Sequence, residues 1–186
     1  MPMIKLPSGG SMKDVEKALQ HFHSLKLRQI MPSSASIPVV EAEAPVINVL
    51  KILRTRHHVW VVRDRKSMRL CGVIRYLDTM DILLPPESYK FRLGMTSAVM
   101  KSLLGGAQKA EEIMERNVLT IEEDATVLDA LVKMKRYRTQ VLAIVSGDKL
   151  VSEISLRILI NELLRLLRVG GTSWSQHGSS SQSELH

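Results

Sequence analysis

Metal or nucleophile chemistry in this chain would have to come from six histidines and one cysteine, and their spacing works against both. His57 and His58 are neighbours at the start of an apolar run, so in a strand their rings point to opposite faces. His21 and His23 lie two apart on a helical pattern, nearly on opposite sides. With no cysteine pair beside them, structural zinc has no ligand set. Cys71 sits inside the apolar run Leu70–Ile74 and reads as a small buried hydrophobe, not a nucleophile. The sequence contains no Gly-rich phosphate loop ending in Lys-Ser/Thr and no nucleophile motif, so the chain reads as non-catalytic. The one charged constellation is basic. Arg54 and Arg56 close a helical stripe, and Arg63, Arg65, Lys66 and Arg69 fill a polar segment between two strand-like runs. Such a cluster can follow phosphates, which makes nucleic acid a partner class to weigh. Aromatic residues are only 4% of the chain, too few for a stacking platform on single strands.

The bulk numbers narrow the class further. The 186 residues suffice for one compact domain or two small ones sharing a core, and 45% hydrophobic content can fill that core. No apolar run approaches the roughly 20 residues that span a bilayer, and the first ten residues lack the apolar core of a signal peptide. A single cysteine makes no internal disulfide, so the expected compartment is the cytoplasm. The net charge of +7 is uneven: residues 1–84 carry +6, whereas residues 106–169 carry zero. That asymmetry points to an anionic ligand or partner on the first half.

The elements that must position any site occur twice. Val46, Val49, Leu50 and Leu53 fall at i, i+3, i+4 and i+7, and Val127, Ala130, Leu131 and Met134 repeat the spacing, each drawing one apolar stripe along a helix. Basic residues follow each stripe, then a strand-like run (Val59–Val62, Val141–Val145), a turn, and a second apolar run (Leu70–Ile74, Leu150–Ile154). Short strands precede the helices at Ile37–Val40 and Val118–Ile121, and Ile30-Met31 and Ile113-Met114 lead into them. A duplicated half of this size determines the fold.

In chain order, residues 1–27 read as a flexible start and an amphipathic helix, Met12 to Leu25, with Ser11 as its N-cap. Residues 28–84 form the first repeat, with Pro45 at the first position of its helix and a closing helix from Tyr76 to Leu84. Residues 85–106 are a linker with a helix from Thr96 to Leu104. Residues 107–169 form the second repeat. There Thr126 and Asp129 resemble a capping box, Ser146-Gly147-Asp148 makes a tight hairpin turn, and a strongly apolar helix runs from Ser155 to Arg168. Residues 170–186 are Gly/Ser-rich and read as a disordered tail. Each half has only three strands, so one face of its sheet needs covering, and pairing the halves covers both.

Strand, helix, strand, strand, helix, present twice over residues 28–168, resembles a tandem of cystathionine-β-synthase-type (CBS) domains, the pair known as a Bateman module. The doubled stripe, the hairpin and the segment Leu70-Cys71-Gly72-Val73-Ile74 carry the resemblance. It implies an α/β fold of two βαββα repeats related by a pseudo-two-fold axis. It also implies a regulatory module that binds an adenine nucleotide, AMP before ATP, in a cleft between the repeats, with no catalytic cofactor. The family motif is Gly, two apolar residues, Ser or Thr, two variable residues, then Asp. The hydroxyl and helix N-terminus hold phosphate and the Asp takes the ribose hydroxyls. In the first repeat Gly72 and Asp78 match the motif, with Arg75 in place of the hydroxyl. In the second Ser155 matches, with Ser152 for the Gly and Ile158 for the Asp. Arg75 can fork to a phosphate, and Asp78 lies one turn deeper on the same face. The first site is therefore expected to work and the second to be weak. Ile37, Val39, Val118 and Thr120 on the early strands are expected to line the clefts, with His58 and Gln140 at the entry to each second strand. The expected partners are the nucleotide, a second copy of the chain through its apolar last helix, and a protein target. The alternatives are a ligand-free dimerisation scaffold and a basic nucleic-acid-binding protein.

Overall fold

The computed structural model describes residues 12–80 and 109–167. Ser11, the linker helix and the tail lie outside them. Helix α1 (Met12–Ser24) comes first. The first repeat then runs β1 (Val39–Glu41), α2 (Val46–Leu53), β2 (His58–Val62), β3 (Leu70–Arg75) and a 3-10 turn (Tyr76–Thr79). The second runs α3 (Ala110–Ile113), β4 (Thr120–Glu122), α4 (Val127–Tyr137), β5 (Val141–Ser146), β6 (Lys149–Ser155) and α5 (Leu156–Leu166). Each repeat holds a three-stranded sheet, ordered β1-β2-β3 or β4-β5-β6. The first pair is parallel and the second antiparallel in both.

Local chemistry sets the boundaries, and some fall away from the expected positions. Pro38 has no N–H to add to a ladder and contributes only its carbonyl, which accepts the Trp60 N–H at 2.9 Å, so β1 starts one residue later. Pro45 is the N-cap of α2, with extended backbone at φ −59°, ψ 141°, and not its first helical residue. In α4 the capping box forms: Thr126 Oγ1 accepts the Asp129 N–H at 3.1 Å, while the Thr126 N–H donates to Asp129 Oδ2 at 2.9 Å. The β5–β6 hairpin turns on Gly147, at φ +64°, where an L side chain would be strained. The closing segment of the first repeat begins as 3-10 rather than α-helix over Tyr76–Thr79.

Alternation along the strands divides the apolar side chains between two faces. Val59, Val61 and Ile74 join Val49 and Leu53 of α2 in one core, which Ala110, Ile113 and Met114 complete from the second half of the chain. Leu142, Ile144 and Ile154 join Val127, Ala130 and Met134 of α4 in another, which Phe22, Leu25 and Leu27 complete from the start of the chain. The opposite faces meet: Ile37, Val39, Trp60, Val62 and Val73 pack with Ala143 and Leu150 between the two sheets. Burying both inner faces is what neither half could do alone.

The lead-in segments are exchanged in a symmetric way. The Leu27 N–H donates to Ala125 O at 3.0 Å and the Val127 N–H to Leu25 O at 2.9 Å. In the equivalent arrangement of the other half, Ala110 N–H donates to Ala44 O at 2.9 Å, and Glu111 N–H donates to Ala42 O at 3.0 Å as Arg28 N–H does to Glu123 O at 3.0 Å. Gly72 has a steric role here. A Cβ at that position would lie 2.5 Å from Met114 Sδ and 2.9 Å from Glu115 O. Its counterpart Ser152, fully buried, has room for a side chain and donates through Oγ to Pro32 O at 2.7 Å.

Candidate functional site

The β2–β3 ladder sets His58 opposite Arg75, and the β5–β6 ladder sets Val141 opposite Ser155. His58 therefore corresponds to Val141. Gln140, expected as its counterpart, corresponds instead to His57: the Leu156 N–H donates to Gln140 O at 2.9 Å, as the Tyr76 N–H donates to His57 O at 2.8 Å. The greater length of α4, 11 residues against 8 in α2, hides this register in the sequence. Gln140 itself is exposed.

Arg75 and Asp78 meet, as their spacing predicts. Asp78 Oδ2 accepts the Arg75 backbone N–H at 2.9 Å and its Nε–H at 3.2 Å, so the carboxylate also caps the 3-10 turn. The contact to the guanidinium uses Nε and leaves its two terminal nitrogens for another partner. Arg75 is largely exposed and Asp78 about a third exposed, which leaves both within reach of a ligand. In the second repeat Ser155 is the N-cap of α5, its Oγ accepting the Ile158 N–H at 3.4 Å. No carboxylate stands at Ile158, so this corner offers a hydroxyl and a helix N-terminus alone.

Ile37, Val39 and Val118 come together in the cluster between the sheets, beside Trp60. Thr120 stands apart from that cluster, and its carbonyl accepts the Lys133 ammonium. Val39 is treated alike, its carbonyl taking the Arg65 guanidinium at 3.0 Å. Of the basic cluster that suggested nucleic acid, Arg65 is anchored in this way and Arg69 pairs with Asp148 at 3.1 Å.

Sequence reasoning missed Glu153. It projects from β6 into the space between the sheets, where Val73 stands in the first repeat. Its Oε2 accepts the Trp60 Nε1–H and the His58 Nε2–H, both at 2.7 Å. The His58 and Glu153 side chains are only 13% and 14% exposed, and the His58 and Trp60 rings meet edge to face at 4.8 Å. Burial pushes the Glu153 carboxyl up, but hydrogen bonds from His58 and Trp60 and the charge of Arg56 hold it below the usual carboxylate range. A carboxylate thus ties β6 to β2 across the repeats. The alternation at the end of β6 could have found it: Ser152 and Ile154 are buried, Ile154 in the core on the α4 side, so Glu153 between them belongs to the face that turns to the other sheet. Among the described residues no three His, Cys, Asp or Glu side chains converge as a metal site.

Two βαββα units sharing a central apolar layer define a tandem α/β pair. The CBS domain model matches residues 27–84 and 110–165, well over half of the chain, and the protein belongs to the CBS-domain family as a pair of such repeats, a class of regulatory module. The fold is shared with the CBS domain of a bacterial CNNM/CorC family Mg2+ transporter in complex with ATP. That likeness has 15% identity and a TM-score of 0.61, over 82% of this chain and 96% of that one. It is also shared with CBSX2 in complex with AMP, at 15% identity and a TM-score of 0.59, over 77% and 98% of the two chains. CBSX2 from Arabidopsis thaliana gives 16% and 0.61, over 79% and 99%. No curated protein matches the sequence. Among the described residues no helix is long and apolar enough to cross a membrane.

Proposed function

We propose that the chain is a non-catalytic sensor that binds an adenine nucleotide, AMP by preference, at the Arg75–Asp78 corner of the inter-repeat cleft and passes the signal to a protein partner in the cytoplasm. The observation that carries this reading is the division of labour at that corner. Asp78 binds Arg75 through Nε with one carboxylate oxygen, leaving the terminal guanidinium nitrogens for a phosphate and Oδ1 for ribose hydroxyls. Ile37, Val39 and Val118 supply an apolar wall nearby for a base. The two similar folds that carry ATP and AMP support the ligand class. The second corner, with Ser155 but no carboxylate, binds weakly or not at all.

The module works as a homodimer. Leu128 and Val132 on α4 and Leu156, Ile160 and Leu164 on α5 are large apolar side chains left exposed at helical spacing. A second copy would cover them. A thermal-shift titration with AMP and ATP tests the ligand: the wild type should melt at a temperature that rises with nucleotide concentration, and Asp78→Ala should not. An equal rise in both proteins refutes the assignment of the corner.

A further inference from the structure

We propose that the first repeat carries a second ligand site, outside the inter-repeat cleft and independent of the nucleotide reading: a cavity between β1 and α2 suited to a small organic anion with an apolar body. The cavity measures about 400 Å3, within the range of small-molecule sites. It opens along β1, the edge strand of its sheet, so no further strand closes it. Val40, Ala44 and Ile52 give it an apolar wall, and Asn48, Lys51 and Arg65 bring donors to its rim.

These donors are available because the repeats differ at the helix cap. In α4, Thr126 and the third helical residue, Asp129, satisfy each other. In α2 the cap is Pro45, which has neither hydroxyl nor N–H. Asn48, at the position of Asp129, therefore has no cap to complete, and its amide makes no hydrogen bond to a described residue; nor does the Lys51 ammonium. Glu41, the one acid in the lining, is already engaged, its Oε1 accepting the Arg65 N–H at 2.9 Å. The rim is thus an unbonded ammonium and an amide, beside Arg65, which spends one guanidinium nitrogen on Val39 O, and an occupied carboxylate.

The second repeat shows the same groove closed. The counterpart of Ile52 is Lys133, whose ammonium reaches across to the carbonyl of Thr120, the counterpart of Val39. In the first repeat the Val39 carbonyl is met instead by Arg65, from the segment between β2 and β3, at 3.0 Å, so no cation of α2 crosses the groove and the Lys51 ammonium stays at its rim. The anionic group would take Lys51 and Asn48, and the apolar body would lie against Val40 and Ile52. An aliphatic carboxylate and an alkyl phosphate monoester share this chemistry.

The test is an NMR titration of the whole chain with sodium octanoate, hexyl phosphate and AMP in turn. The resonances followed are the Asn48 side-chain amide, Arg65 Nε–H and the Glu41 amide. Octanoate or hexyl phosphate should shift them saturably; which of the two binds more tightly identifies the anionic group. Lys51→Gln should weaken that ligand about tenfold, by loss of a charge-assisted hydrogen bond. Ile52→Lys, which copies the second repeat, should abolish the shifts while the remaining spectrum stays dispersed. No saturable shift with either anion overturns the proposal, as do shifts that persist in Ile52→Lys. Shifts of the same resonances by AMP would assign the cavity to the nucleotide cleft and overturn it too. Should Ile52→Lys lose its dispersion, Lys51→Gln decides alone: unaltered affinity there refutes the site.

Discussion

Replacing Gly72 by Ala probes the mutual dependence of the two halves at a single atom. The added Cβ would meet Met114 Sδ at 2.5 Å, Met114 Cγ at 2.7 Å and Glu115 O at 2.9 Å. The thioether can swing away, but the carbonyl cannot without moving its chain. That carbonyl accepts the Val73 N–H at 3.0 Å, and the Glu115 N–H donates back to Val73 O at 2.9 Å. Overpacking a filled core costs about 1–3 kcal/mol. Straining or losing two neutral hydrogen bonds adds about 0.5–1.5 kcal/mol each. A net loss of about 2–6 kcal/mol should lower Tm by roughly 4–24 °C in a chain of this size. Scanning calorimetry reads the shift, and Gly147→Ala supplies the contrast. No atom lies within 4 Å of a Cβ at Gly147, so only its φ of +64° is strained, costing about 1–2 kcal/mol. Met114→Ala in the Gly72→Ala background should recover part of the loss, giving a coupling above about 0.5 kcal/mol. A Gly72→Ala protein melting within about 1 °C of the wild type, or losses that simply add, would refute the steric argument.

Three further outcomes follow from the same geometry. Thr126→Ala removes the α4 cap and should cost about 1 kcal/mol by urea denaturation, whereas Pro45→Ala, which removes no cap hydrogen bond, should cost less. The folded pKa of Glu153 lies below its ordinary 4.5, so its contribution to stability is present above that value and is lost as pH falls through the folded pKa. Glu153→Gln should therefore be less stable at neutral pH and should lose less on acidification below 4.5, as read from urea midpoints across pH. Ile160→Asp puts a charge into the exposed apolar face of α5 and should convert a dimer to a monomer by light scattering with the fold retained by circular dichroism.

The duplication was the most legible feature, because a helical stripe and a hairpin are local patterns and the sequence shows each of them twice. Faces were legible for the same reason: Val59 and Val61 against Trp60 and Val62 is simple alternation. Boundaries were less so. β1 was expected from Ile37, yet Pro38 cannot take part until its carbonyl meets Trp60, a partner about twenty residues away. The site was readable where it is local, as in Arg75 and Asp78 three residues apart. It was hidden where it is not. Glu153 joins His58 across nearly a hundred residues of chain, and a lone acid in an apolar strand gives no partner by itself. The pairing of Gln140 with His58 failed because the helix before β5 is longer than the helix before β2, and only hydrogen-bond register settles such an equivalence. The groove beside α2 differs between the copies in which element sends its cation to β1, Arg65 from the segment after β2 in one and Lys133 from the helix in the other, and that shows only in the folded chain.

Isothermal titration calorimetry of AMP into the wild type, Asp78→Ala and Ser155→Ala tests the functional account most directly. One nucleotide per chain is expected for the wild type, its loss or a weakening of tenfold or more in Asp78→Ala, and near-unchanged binding in Ser155→Ala. Two equal sites per chain, or a site that survives Asp78→Ala and vanishes with Ser155→Ala, would contradict it.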